Sequence, residues 1–183
     1  RGVALAAELV QPEGAPPQAI AVLLHGYDGT RDELPVQGGQ GMFARAAESF
    51  ARAGIASLRF DFRGSGESGG SWAETTFSGQ TADARAVLAT LREVEGLSGL
   101  PVYLLGFSQG GLVALRTAAA EPWIAGVALW NPVLDPNQTY GHIFGPATLE
   151  RGIAQSRAGD PGAPVPGTAL LAGFFADIDQ AHP

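Results

Sequence analysis

The stretch Gly106-Phe107-Ser108-Gln109-Gly110-Gly111 decides the fold. It follows an apolar run over 101–105 and precedes a helical pattern over 112–120. The order is strand, sharp turn, helix, with a serine at the apex. A serine hydroxyl is a weak nucleophile, so chemistry requires it exposed and within reach of a base. A tight strand-to-helix turn provides the exposure, and its glycines make the turn sterically possible. The helix start behind the serine also presents free backbone N–H groups to a developing oxyanion. The competing reading is an ordinary glycine-rich βα turn.

Outward from this turn the chain alternates between strands and helices. Residues 3–10 read as a first strand near a sheet edge, and 11–18, rich in proline and glycine, as a turn. Residues 19–24 form a short apolar run typical of a buried parallel strand, ending at His25-Gly26-Tyr27. Helical spacing of Phe43, Ala46, Ala47 and Phe50 predicts a helix over 42–52, stopped by Gly54. Strands are expected at 55–60, 102–105 and 124–130, and helices at 77–94 and 112–120. This is the pattern of an α/β protein with a mostly parallel sheet flanked by helices. His25, Asp61, Ser108 and Asn131 all follow predicted strands, so they are expected to share the rim where such sheets bind ligands. From 133 to 166 prolines, glycines and polar residues are frequent and periodicity is weak, and a helix is expected at 168–178. This segment reads as an insertion lying over the rim.

The composition narrows the function. With 183 residues, the chain is long enough for one domain with a sizeable core. Its 45% hydrophobic and 16% charged residues describe a compact protein. The net charge is −7 and all eleven basic residues are arginines without a cluster, which argues against nucleic acid or an anionic membrane surface as partner. There is no cysteine, so disulfides and thiol chemistry are excluded. No apolar run approaches a membrane span, and a soluble protein, favouring the cytoplasm, is expected. The chain begins Arg1-Gly2-Val3 without a methionine, so it is expected to start inside a longer product or after processing.

Other signals carry less. Gly64-Ser65-Gly66-Glu67-Ser68-Gly69 fits a dinucleotide phosphate loop, but the following helix begins too late to bring its N-terminus to a pyrophosphate. The glycines are expected to fold a tight loop, with Arg63 and Glu67 fixing it. Phe107, Trp130, Phe144, Phe174 and Phe175 either line an acyl pocket or pack in the core. No cluster has metal-ligand spacing, so neither metal nor cofactor is expected.

Four ordered motifs support a family. They are His25-Gly26-Tyr27, Arg59 through Ser68, Gly106 through Gly111, and Trp130-Asn131-Pro132. The chain resembles the α/β-hydrolase superfamily, and within it the small bacterial carboxylesterases of the cinnamoyl/feruloyl-esterase type. The resemblance covers about residues 3–133, and the tail, 172–183, is similar to the helix that closes the lid in that group. It implies an α/β-hydrolase core at 1–132, partial, and a lid-like segment at 133–183. It further implies Ser108 as nucleophile, the backbone N–H groups of Tyr27 and Gln109 as oxyanion hole, and His25, Gly26, Gly106 and Gly110 as supporting residues. The substrate implied is a small-molecule carboxylic ester.

The family pattern places an acid and a histidine on later strands, and neither appears before Pro183. The chain is therefore expected to be about the first two-thirds of a hydrolase domain. His25 is expected to be structural, His142 to face solvent, and His182, near Asp177 and Asp179, to lie on a terminus too loose for a base. Asp135, after a rim strand, is a candidate substitute acid. The strand at 124–130 is expected to expose an apolar edge, so a missing C-terminal half or a second copy is expected as partner. The alternative from another class is a non-catalytic binding module, or inactive fragment, on the same fold.

Overall fold

The computed structural model describes residues 2–36 and 38–180. A five-stranded sheet forms the centre, with β1 (Ala7–Val10), β2 (Ala19–Leu24), β3 (Ile55–Phe60), β4 (Val102–Phe107) and β5 (Gly126–Trp130). The strand order is β1-β3-β2-β4-β5. β1 runs antiparallel to β3, and every other neighbour is parallel. β2 lies centrally and Ile20 to Leu24 are buried on both faces, which explains its unbroken apolar run.

Helices α1 (Met42–Arg52), α2 (Phe77–Leu91) and α3 (Gln109–Ala120) flank the sheet. Ile20, Val22, Leu58, Phe60 and Leu104 pack on one face with Ala84, Leu88 and Leu91 of α2 and Val113 and Ala114 of α3. On the other face Ala21 and Leu23 meet Phe43 of α1. The outer neighbour position of β5 is empty among the described residues, and Leu129 and Trp130 are 40% and 47% exposed.

Several expected bounds shift: β4 runs on to Phe107, β5 begins only at Gly126, and the helix expected at 168–178 spans Ala172–Asp179. The first strand begins at Ala7 because Ala4 and Ala6 bond instead to the loop after β3: Gly69 N–H donates to Ala4 O and Ala6 N–H to Ser68 Oγ, each at 2.9 Å. α2 ends at Leu91, three residues early, in turns that lead to Gly96 and Gly99, both at positive φ. α3 begins at Gln109, three residues early, because its glycines pack against neighbouring backbone.

The larger correction falls on 133–166. Two helices replace the expected irregular segment, α4 (Pro136–Phe144) and α5 (Pro146–Arg157), followed by α6 (Ala172–Asp179). Pro136 and Pro146 open their helices, where proline's missing N–H costs nothing. Asp135 caps α4 by accepting from Gln138 N–H at 3.0 Å. Tyr140, Leu149, Phe174, Phe175 and Ile178 of these helices pack with Phe77 and Leu112 in a second apolar cluster. Among the described residues no helix is long and apolar enough to cross a membrane.

Candidate active site

β4 runs directly into α3, and the reversal falls on Ser108, at φ 51° and ψ −118°. That left-handed φ costs a non-glycine residue on the order of 1–3 kcal/mol, so the surroundings must impose it. They do so through backbone bonds. Ser108 N–H donates to Trp130 O at 3.0 Å, and Ser108 O accepts from Gly111 N–H at 3.0 Å and Val133 N–H at 2.9 Å. The nucleophile candidate is thus fixed between β4, α3 and the end of β5. Its side chain is half-buried, and Oγ has no hydrogen-bond partner among the described residues.

The flanking glycines are sterically required. A Cβ on Gly106 would overlap the Gly110 carbonyl, and one on Gly110 would overlap the Leu24 carbonyl. A Cβ on Gly111 would lie 2.6 Å from Pro132 Cβ. α3 can therefore sit on the rim only with glycines in its first turn.

The turn after β2 lies against this apex. A Cβ on Gly26 would be 3.3 Å from Ser108 Cβ. Neither the Tyr27 nor the Gln109 backbone N–H has a hydrogen-bond partner among the described residues. Both belong to segments that touch Ser108. His25 is fully buried; its Nδ1 donates to Gly26 O at 2.9 Å and its Nε2 accepts from Phe62 N–H at 3.1 Å. Those partners fix the neutral Nδ1–H tautomer. Burial lowers the His25 pKa from 6.5 to about 4, against the opposing pull of the Gly26 carbonyl and the Asp61 charge. Both ring nitrogens are committed, so this histidine has no free lone pair to offer Ser108.

Asp61, after β3, is fully buried and accepts from Arg31 N–H at 2.6 Å, Arg31 Nη1 at 2.5 Å and Glu67 N–H at 3.0 Å. Arg31 Nη2 also donates to the Glu67 carboxylate. Arg63 N–H and guanidinium both engage Asp83 on α2, at 3.0 and 2.5 Å. Arg63 and Glu67 thus bind the loop after β3 to its surroundings, and α2 opens only at Phe77, well past the glycines. Asn131 follows β5 at φ 47°. The rim gathers the ends of four strands, as the alternation of elements predicts.

Sequence reasoning missed two features. Gln109 turns its side chain inward: Nε2 donates to Gln80 Oε1 at 2.7 Å and Oε1 accepts from the Tyr140 hydroxyl. All three side chains are fully buried, and burial raises the Tyr140 pKa well above 10.0. The other is Glu33, whose carboxylate accepts from Gly26 N–H at 2.6 Å. Nothing in the local pattern marks either, because both are contacts between distant or loop residues. Replacing Tyr140 with Phe keeps the ring but strips Gln109 Oε1 of its donor. We expect this to cost about 1–3 kcal/mol in urea denaturation, the penalty for a buried unpaired acceptor. Unchanged stability would show that the hydroxyl holds nothing.

The aromatic residues divide. Phe174 and Phe175 are buried in the second cluster, and Phe144 is half-buried against it. Tyr27 meets Trp72, Tyr140 and Phe144 edge-on, with centroids 5.2, 5.8 and 5.9 Å apart. Phe107 and Trp130 pair with each other at 6.3 Å, and Phe107 packs on the α1 side of the sheet.

The remaining candidate acids and bases sit elsewhere. His142 is exposed and its Nδ1 lies 3.2 Å from Gln138 O. Asp177 accepts from Ser78 N–H, and Asp179 pairs with Arg157. His182 lies outside the described residues. Among the described residues no group of three or more His, Cys, Asp or Glu side chains is gathered for a metal.

The family model described as serine aminopeptidase, S33, matches residues 15–158. A Nocardia uniformis subsp. tsuyamanensis protein named "Putative esterase NocK" is 34% identical over 121 residues, 64% of this chain and 33% of that protein. An uncharacterised 31.7 kDa Escherichia coli protein from the traX-finO intergenic region is 31% identical over 110 residues, 60% of this chain and 36% of that protein. The chain thus matches about a third of the length of these curated relatives. Among solved structures, Est1E from Butyrivibrio proteoclasticus with bound ferulic acid superposes with a TM-score of 0.76 at 21% identity, covering 98% of this chain and 68% of that one. Mouse α/β hydrolase domain-containing protein 10 gives a TM-score of 0.67 at 20% identity, covering 99% and 67%. These two likenesses establish the α/β-hydrolase fold.

Proposed function

The chain belongs to the serine aminopeptidase S33 family of α/β-hydrolases, and from that premise we propose that it is the nucleophile-bearing part of a serine hydrolase acting on small carboxylic esters. The observation that carries the reading is Ser108: a strained apex whose hydroxyl, like the two backbone N–H groups flanking it, has no partner among the described residues. In this reading Ser108 Oγ attacks the ester carbonyl carbon as a histidine takes its proton. The tetrahedral oxyanion is held by the N–H groups of Tyr27 and Gln109. Collapse expels the alcohol, which takes the proton back from the histidine, and leaves an acyl-enzyme. Water then releases the acid and restores the hydroxyl. The proposal places the triad histidine and its acid outside residues 1–183, in a segment or partner that adds to the β5 edge.

Residues 133–183 act in this reading as the lid. Their apolar cluster reaches Tyr27 over the rim, and Tyr140 bonds to the residue after the nucleophile. An ester is preferred to an amide because a similar protein bears the name "Putative esterase NocK". Peptide-like substrates share the same chemistry.

A fluorophosphonate probe tests the reading on the full-length protein. The expected result is a single covalent adduct on Ser108, with neither labelling nor turnover of p-nitrophenyl butyrate in Ser108→Ala. Labelling and turnover that survive the substitution would refute it. One observation favours the non-catalytic reading for the chain in isolation: neither His25 nor His142 bonds to Ser108. A full-length protein with no probe reactivity would support that reading.

A further inference from the structure

We propose that Glu33 is a positioning residue that holds the Gly26-Tyr27 turn against Ser108 by binding the Gly26 N–H. This rests on the serine-hydrolase reading and extends it to a residue of the loop after β2. The β2–β4 ladder ends at the pair Leu24 and Gly106, so the sheet does not fix Gly26. Its carbonyl is held by His25 Nδ1 at 2.9 Å and by Gly29 N–H at 3.2 Å. Among the described residues its N–H is held by the Glu33 carboxylate alone, at 2.6 Å, a short bond to an acceptor of the charged type.

The placement of Glu33 is costly, which argues that the contact is built. Glu33 adopts φ 60°, a left-handed backbone that a non-glycine residue rarely takes. Its own N–H is tied to Thr30 O at 2.9 Å, so the loop closes on itself and returns the side chain to the turn. Burial raises the carboxyl pKa above 4.5, and the bonds from the Gly26 and Leu34 N–H groups oppose that rise. A Cβ on Gly29 would lie 3.0 Å from Glu33 Oε2 and 3.2 Å from His25 Nδ1, so the carboxylate and the imidazole flank one narrow space filled by backbone.

The functional consequence follows from position. Gly26 packs against Ser108, and the Tyr27 N–H belongs to the next residue of the same turn. Loosening the Gly26 peptide displaces that donor from the oxyanion and leaves the substrate-binding walls in place. The loss belongs to the transition state and falls on kcat.

The test compares wild type, Glu33→Ala and Glu33→Gln in the full-length protein, with p-nitrophenyl butyrate as substrate and amide hydrogen exchange at 25–27 as a second readout. Glu33→Ala is expected to lower kcat by about 10- to 100-fold with KM within about twofold, and to speed exchange of the Gly26 amide at least about tenfold. Glu33→Gln, whose side-chain carbonyl can accept the same N–H, is expected to restore both to within about threefold of wild type. The proposal is overturned if Glu33→Ala leaves kcat or the Gly26 exchange rate unchanged, if the loss is in KM alone, or if Glu33→Gln is as impaired as Glu33→Ala. If Ser108→Ala keeps full turnover, the hydrolase reading itself has failed and the positioning role falls with it. Exchange would then still report whether Glu33 holds Gly26.

Discussion

Gly110→Ala should unfold the serine turn, although its local effect on the helix is favourable. Alanine is the better helix former by about 1 kcal/mol, and Gly110 has an ordinary helical backbone. Propensity alone would predict stabilisation. Sterics decide the other way, because the new methyl would overlap the Leu24 carbonyl and lie 2.5 Å from the His25 carbonyl. Neither obstacle is a flexible side chain: both are backbone at the end of the central strand, which is buried on both faces. Overpacking of this kind costs about 1–3 kcal/mol where the surroundings can yield, and more where they cannot. We expect a loss above about 3 kcal/mol in urea denaturation, with loss of any probe reactivity at Ser108. Gly141→Ala in α4 is the control, since its methyl would meet only Leu149 at an ordinary 3.5 Å. That variant should be stabilised by about 0.5–1 kcal/mol. Equal effects from the two substitutions would show that the close approach at Gly110 is absent in solution.

Acid should destabilise the fold through His25. Its pKa is lowered from 6.5 to about 4, so on acidification the unfolded chain takes up the proton first. The stabilisation is fully present above pH 6.5, is lost progressively as pH falls towards about 4, and does not change further once both states are protonated. A difference of that size corresponds to about 3 kcal/mol. Urea denaturation between pH 7 and 4 measures it against His25→Gln. That variant should start less stable, because one amide of different shape must replace an imidazole bonded at both nitrogens. Its further decline with acid should be smaller than wild type's by about 3 kcal/mol, whereas other titrating groups affect both proteins alike. Parallel curves would mean that His25 is not held neutral.

β2 was readable because burial on both faces forces the unbroken apolar run Ile20 to Leu24. α1 was readable because it is half-buried, so its apolar residues recur at helical spacing. α4 and α5 were not readable, because Pro136 and Pro146 look like interruptions until their positions as first residues are known. At the candidate site, the serine turn and the His25-Gly26-Tyr27 turn are local motifs and can be read from one segment each. Glu33 and the bonds from Gln109 to Gln80 and Tyr140 depend on which segments meet. Gln109 and Tyr140 are separated by 31 residues, and no periodicity links them.

That three-residue contact also bears on inheritance. Gln109 presents its backbone towards the rim and its side chain towards two helices. A change at Tyr140 or Gln80 therefore strands a polar group beneath the nucleophile. Single substitutions at these positions are penalised and compensating ones are tolerated, so the three should vary together among relatives. The helices over the rim then cannot drift freely to suit new substrates. They must change in step with the turn they cover.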